Sequence, residues 1–164
     1  MSTRPHRIQI QVSVRQPSEA ALRRLKRVLA EAVRAALAGR KARPGTVSVS
    51  VVGDAAIRRL NRDFLGHDYA TDVLSFPTEG APAGDGRYYG DLALSLPRAR
   101  AQAKGGGHAL DDELRLLIVH GTLHLLGFDH DTPARQRRMW RAQSEILTAL
   151  GARITSPKDV HVAG

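Results

Sequence analysis

The rest of the chain arranges itself around His120-Gly121-Thr122-Leu123-His124-Leu125-Leu126-Gly127-Phe128-Asp129-His130. His120 and His124 stand four residues apart, so on an α-helix both imidazoles leave one face a turn apart and can reach one ion. Gly127 falls where a helix C-terminus favours a residue free to take positive φ, and that reversal brings His130 back over the same face. Leu114, Leu116, Leu117, Ile118, Val119, Leu123, Leu125 and Leu126 wrap the helix axis in apolar surface. A helix apolar on all sides is central and buried, so the fold has to pack other elements around it. Burying imidazoles among leucines is unfavourable unless they are bonded or liganded.

One histidine in such a helix is an ordinary core residue with a satisfied hydrogen bond. Three are a ligand set. Three neutral imidazoles with a fourth position left to water are the pattern of a catalytic zinc rather than a structural one. The spacing His-x-x-x-His-x-x-Gly-x-x-His is the ligand frame of the extended metzincins. Those proteases carry a glutamate after the first histidine as general base, and Gly121 stands there instead. The frame is kept and the peptidase base is missing.

Composition agrees with this reading. A chain of 164 residues with 42% hydrophobic content suits one domain over 1–164, with 1–6 and 155–164 expected to fray. Cysteine is absent, which leaves imidazole and carboxylate as the strong ligands for any ion. No signal peptide and no membrane span is evident, so a cytoplasmic protein without a membrane partner is expected. Lys and Arg outnumber Asp and Glu by 25 to 16, a formal charge of +9. That excess suits a polyanion such as nucleic acid, although arginine-rich composition also follows from a GC-rich genome. Aromatics make up only 4% of residues, so backbone contacts should outweigh base stacking.

Outward from the motif, strict alternation predicts strands over Ile8 to Val14 and Thr46 to Val52. Between them a helix runs from an N-cap at Ser18 to Gly39, with Leu22, Leu25, Leu29, Val33 and Ala36 as its buried stripe. Asp54 is expected to cap a helix ending at Gly66. Val73 to Phe76 make a short strand ended by Pro77, and Leu92 to Leu96 make another. Thr78 to Gly90, rich in glycine, reads as a mobile loop. Pro97 starts a short helix that fails at Gly105 to Gly107, and Asp111 or Asp112 caps the motif helix. Pro133 to about Leu150 form the last helix, with Met139, Gln143, Ile146 and Leu150 in line. The order predicts an α+β (α/β-like) fold, a mixed sheet of about four strands packed with helices around the central histidine-bearing one.

The run from His120 to His130, with Thr71-Asp72-Val73-Leu74-Ser75-Phe76-Pro77 and Gly90-Asp91, resembles the YbeY family of bacterial endoribonucleases. The resemblance implies a metal-dependent hydrolase with one zinc per chain on His120, His124 and His130. It implies single-stranded RNA as substrate, a role in maturing the 3′ end of small-subunit ribosomal RNA and in ribosome quality control, and the small ribosomal subunit with its assembly factors as partners. Many members carry an arginine before the glycine that precedes the Thr-Asp-Val-Leu-Ser-Phe motif. This chain has Leu65 there, and His67 or one of Arg58, Arg59 and Arg62 is the candidate to hold a phosphate in its place.

Zinc held by three imidazoles lowers the pKa of its water and polarises a phosphoryl oxygen. Asp129 and Asp131 are candidates to orient an imidazole or act as base, and they are equally suited to capping the helix at Pro133. Ser75 is a candidate to position a phosphate or to satisfy backbone groups. Two other functions fit the same residues. One is a non-catalytic assembly factor with a structural zinc, and the other is a metal hydrolase acting on a small molecule.

Overall fold

The computed structural model describes residues 5–78, 82–83 and 86–154. Of the expected frayed ends, 1–6 and 155–164, residues 1–4 and 155–164 lie outside them. Alternating apolar residues form β1 (Arg7–Val12) and β2 (Gly45–Val52), which pair in parallel and are joined by α1 (Glu19–Gly39). Helix α2 (Asp54–Leu65) leads to β3 (Val73–Pro77), the two-residue β4 (Pro82–Ala83) and β5 (Gly86–Ser95). Strand β5 pairs in parallel with β2 and antiparallel with β3, giving the order β1-β2-β5-β3 with β4 attached to β5. The mixed sheet with its helices is the α+β architecture expected, four strands along the path and a short fifth beside it.

The pleat sorts side chains between the two faces. Val47, Val49, Val51, Val73, Leu92 and Leu94 join one core with α1, α4 (Leu110–Leu125) and α5 (Pro133–Ala149). Val52, Leu74 and Ala93 face the other way and pack with Ile57 of α2. Helix α3 (Leu96–Gly106) follows β5 directly, with Ser95 as its N-cap. Buried residues occur on every side of α4, from Leu114 through Leu123. It is the central helix.

Several boundaries differ from expectation. Ala109, not Asp111 or Asp112, is the N-cap of α4, and the two aspartates sit in its first turn, where negative charge still meets the helix dipole. Gly53 rather than Asp54 caps α2, which frees the Asp54 carboxylate to accept from Ser95 Oγ at 2.8 Å. Gly39 lies inside α1, and the left-handed residue that ends the helix is Lys41, at φ 52°. Strand β5 begins well before Leu92, so Gly86 to Gly90 are paired strand instead of mobile loop, and Pro82–Ala83 pair with them. The remainder of the expected loop, at 79–81 and 84–85, lies outside the described residues.

Candidate metal centre

Helix α4 ends in two hydrogen bonds that reverse the chain. Gly127 N–H donates to His124 O at 3.0 Å and Phe128 N–H to Leu123 O at 3.0 Å, with Gly127 at φ 96°. This is a Schellman turn, which requires a left-handed residue at Gly127. It returns the chain so that His130 meets the imidazoles of His120 and His124, and the three candidate ligand atoms lie within 4.8 Å of one another. His120 Nε2 and His124 Nε2 are 3.0 Å apart. No fourth histidine or carboxylate joins the group among the described residues.

Burial decides the charge of the His120 and His124 rings. Desolvation pushes His120 down to about 3, helped by the neighbouring His124, and it also lowers His124. Both are therefore neutral at physiological pH, the form that binds a metal without first losing a proton. Their orientation is fixed from behind. His120 Nδ1 lies 3.0 Å from Gln143 Oε1, which can only accept, so the proton is on Nδ1 and the lone pair is on Nε2. His124 hydrogen-bonds the Phe128 main chain, so the turn that returns His130 also holds the second ring. Trp140 closes one side, its ring 5.7 Å from that of His130 and 6.0 Å from that of His120. An all-nitrogen set of three imidazoles, two of them neutral and hydrogen-bonded from behind, suits zinc or another transition ion.

The geometry also explains the missing glutamate. A Cβ at Gly121 would lie 2.9 Å from Leu92 Cδ2 and 3.3 Å from Ser75 Oγ, so α4 rests here directly on the sheet. Ser75 Oγ donates to the Gly121 carbonyl at 3.2 Å, which ties β3 to the ligand helix. Asp129, exposed, accepts from His130 N–H at 2.7 Å, and its charge acts on His124. Asp131 is engaged with Arg135 at 3.0 Å, and Thr132 is the residue that caps α5. Arg59, Arg62 and His67 belong to α2 and its following turn, on the opposite sheet face from α4, with Arg62 bonded to Asp63 and His67 against Tyr69. The structure thus gathers the three histidines, keeps Ser75, Asp129 and Asp131 close to them in the fold, and leaves the α2 cations across the sheet. Gln143 and Trp140 were not singled out as site residues. A glutamine in an otherwise apolar helix line was the available signal for the first, and nothing in the sequence pointed to the second.

No helix among the described residues is long and apolar enough to cross a membrane. A family model described as Endoribonuclease YbeY matches residues 9–151. A relative named Endoribonuclease YbeY from Solibacter usitatus is 49% identical over 110 residues, which cover 65% of this chain and 71% of the relative. Another of that name, from Halalkalibacterium halodurans, is 44% identical over 115 residues, 64% of this chain and 72% of its own. The solution structure of TM1509 from Thermotoga maritima superposes with a TM-score of 0.53 at 25% identity, covering 90% of this chain and 94% of that one. A histidine frame without the protease glutamate, on an α4 that rests directly against the sheet, is set in a chain that matches the family model over nearly its whole described length, and the chain belongs to the YbeY family.

Proposed function

We propose that the chain is a single-strand-specific, metal-dependent endoribonuclease that acts in ribosomal RNA processing, at the 3′ end of the small-subunit RNA. The observation that carries the reading is the convergence of three imidazoles, His120 and His124 among them held neutral by burial, with no fourth protein ligand among the described residues. Relatives named as endoribonucleases supply the reaction class. Zinc, one per chain on His120, His124 and His130, is the proposed ion, and when bound it supplies Lewis acidity toward a phosphoryl oxygen and a lowered pKa for water at its open position. Gln143 and the Phe128 main chain hold the first two imidazoles in the tautomers that present lone pairs to it. Asp129 is the better placed of the two aspartates to accept a proton, because Asp131 is engaged by Arg135. Ser75 aligns the ligand helix on the sheet, and its hydroxyl retains acceptor capacity for a neighbouring donor. Arg59, Arg62 and His67, carried across the sheet, serve the RNA as contacts remote from the scissile bond. The proposed partners are single-stranded ribosomal RNA and the small ribosomal subunit with its assembly factors, in the cytoplasm.

The test is metal content by elemental mass spectrometry on untagged protein, for wild type and His124→Ala, followed by incubation of each with single-stranded RNA. About one zinc per chain in the wild type is expected. His124→Ala should lose both the zinc and the cleavage. Zinc and cleavage retained by the variant would remove the site from the reaction. Zinc bound with no cleavage by either protein would favour the assembly-factor role.

A further inference from the structure

We propose that a cationic trench lined by Arg40, Arg43, Arg87 and Arg138 grips the sugar–phosphate backbone of the RNA outside the three-histidine site. The inference rests on the ribonuclease reading and assigns it a second contact surface. Two cavities of about 490 and 460 Å³ meet along a shared wall of Arg40, Leu126 and Phe128. One extends over Arg43 and Arg87, at the N-terminal ends of β2 and β5. The other passes Gly127 to Asp129 and reaches Arg138 on α5, ending one residue from His130. A strand lying in the trench is therefore led to the turn that carries the third histidine.

Among the described residues the charge in the trench is unsatisfied. All four arginines are exposed, and none makes an ion pair with a carboxylate among the described residues. The cavities also include Arg135, held by Asp131, and one carboxylate, Asp129, which is hydrogen-bonded to His130 N–H. Guanidinium groups gathered in one concavity repel each other until an anion enters, and their planar donors fit phosphate oxygens.

The cations are also pre-positioned. Arg87 N–H donates to Pro44 O at 3.3 Å, and the buried Tyr89 hydroxyl donates to Arg43 O at 2.6 Å, locking the loop that carries Arg43 onto the strand that carries Arg87. A Cβ at Gly45 would come within 2.5 Å of Arg87 O, so the approach is as close as backbone allows. Arg40 is held with its guanidinium 4.9 Å over the Phe128 ring. Beside it Lys41 occupies a left-handed position that favours glycine, with Lys41 N–H on Ala38 O and Ala42 N–H on Leu37 O. Backbone strain is thus accepted where it keeps another cation in the same loop. Phe128 and Tyr88, both half-buried, add ring surface along the trench.

The experiment compares wild type with Arg43→Ala/Arg87→Ala, and with Arg23→Ala/Arg27→Ala, which removes the same charge from the exposed side of α1. Binding of a fluorescein-labelled single-stranded RNA of about 16 nucleotides is followed by anisotropy against salt, alongside cleavage kinetics and zinc content. The trench variant should bind at least about tenfold more weakly. Its slope of log affinity on log salt should fall by about 1.4, two phosphate contacts' worth for a single strand. KM should rise, while kcat at saturation and zinc content hold. Unchanged affinity and slope in the trench variant, beside a wild type that cleaves RNA, would overturn the trench and leave the ribonuclease reading standing. An equal loss in the α1 variant would overturn it too, since net charge alone would then suffice. Weakened binding of an acidic peptide with RNA binding intact would assign the surface to a protein instead. A wild type that neither binds nor cleaves RNA would end both readings.

Discussion

Gln143 touches His120 at Nδ1, away from the candidate ligand atom, and so sets the tautomer of that ring from another helix. Replacing it with leucine keeps the volume and removes the acceptor, so zinc affinity should fall by about 10- to 100-fold. Trp140, the single tryptophan, stands beside two of the rings, and its fluorescence during a zinc titration reads that affinity directly. The depressed histidines predict a pH dependence as well. In the folded, metal-free chain His120 stays neutral down to about 3, whereas in the unfolded chain it protonates below its ordinary 6.5. The unfolded state therefore binds more protons across that window, and stability present above 6.5 is lost as pH falls toward 3. Between pH 7 and pH 5 His120 alone should remove about 2 kcal/mol, with His124 adding in the same direction. Urea denaturation in chelator at the two pH values measures it.

At the scale of elements, α4 and β5 locate the site, and their contact leaves no room for change. Gly90 has φ 139°, and a Cβ there would lie 2.3 Å from Phe76 O, a backbone atom of the neighbouring strand. Gly90→Ala should lower stability by at least about 2 kcal/mol, read as a shift in urea midpoint at unchanged m-value. The strands and α4 were legible because alternation and an all-round apolar pattern are consequences of burial. Gly127 was legible because a Schellman turn favours a left-handed residue. The N-caps of α2 and α4 were misplaced because an aspartate one to three residues past the cap suits the dipole as well as one at the cap. The length of β5 was hidden because Gly86 to Gly90 pair through main-chain atoms, whatever their side chains. The role of Gln143 depends on how α5 packs on α4, which no local pattern encodes.

For the molecule as a whole, the histidines lie at the end of a helix whose apolar residues already join one continuous core with α1, α5 and the sheet. That core does not depend on an ion. Chelation should therefore leave far-UV circular dichroism unchanged and lower Tm only by the linkage term that a bound metal ion supplies. Loss of helix signal on chelation would instead mark the ion as structural. The three candidate ligands also share a property that the sheet lacks, since all come from one helix and the turn that ends it. Closing that set costs the entropy of a very short loop, whereas β2 has to find β5 across α2, β3 and β4. Helix and turn form within about a microsecond, far ahead of so distant a strand pairing. A chain still assembling its sheet already displays its candidate metal ligands, so metal loading need not wait for the finished fold.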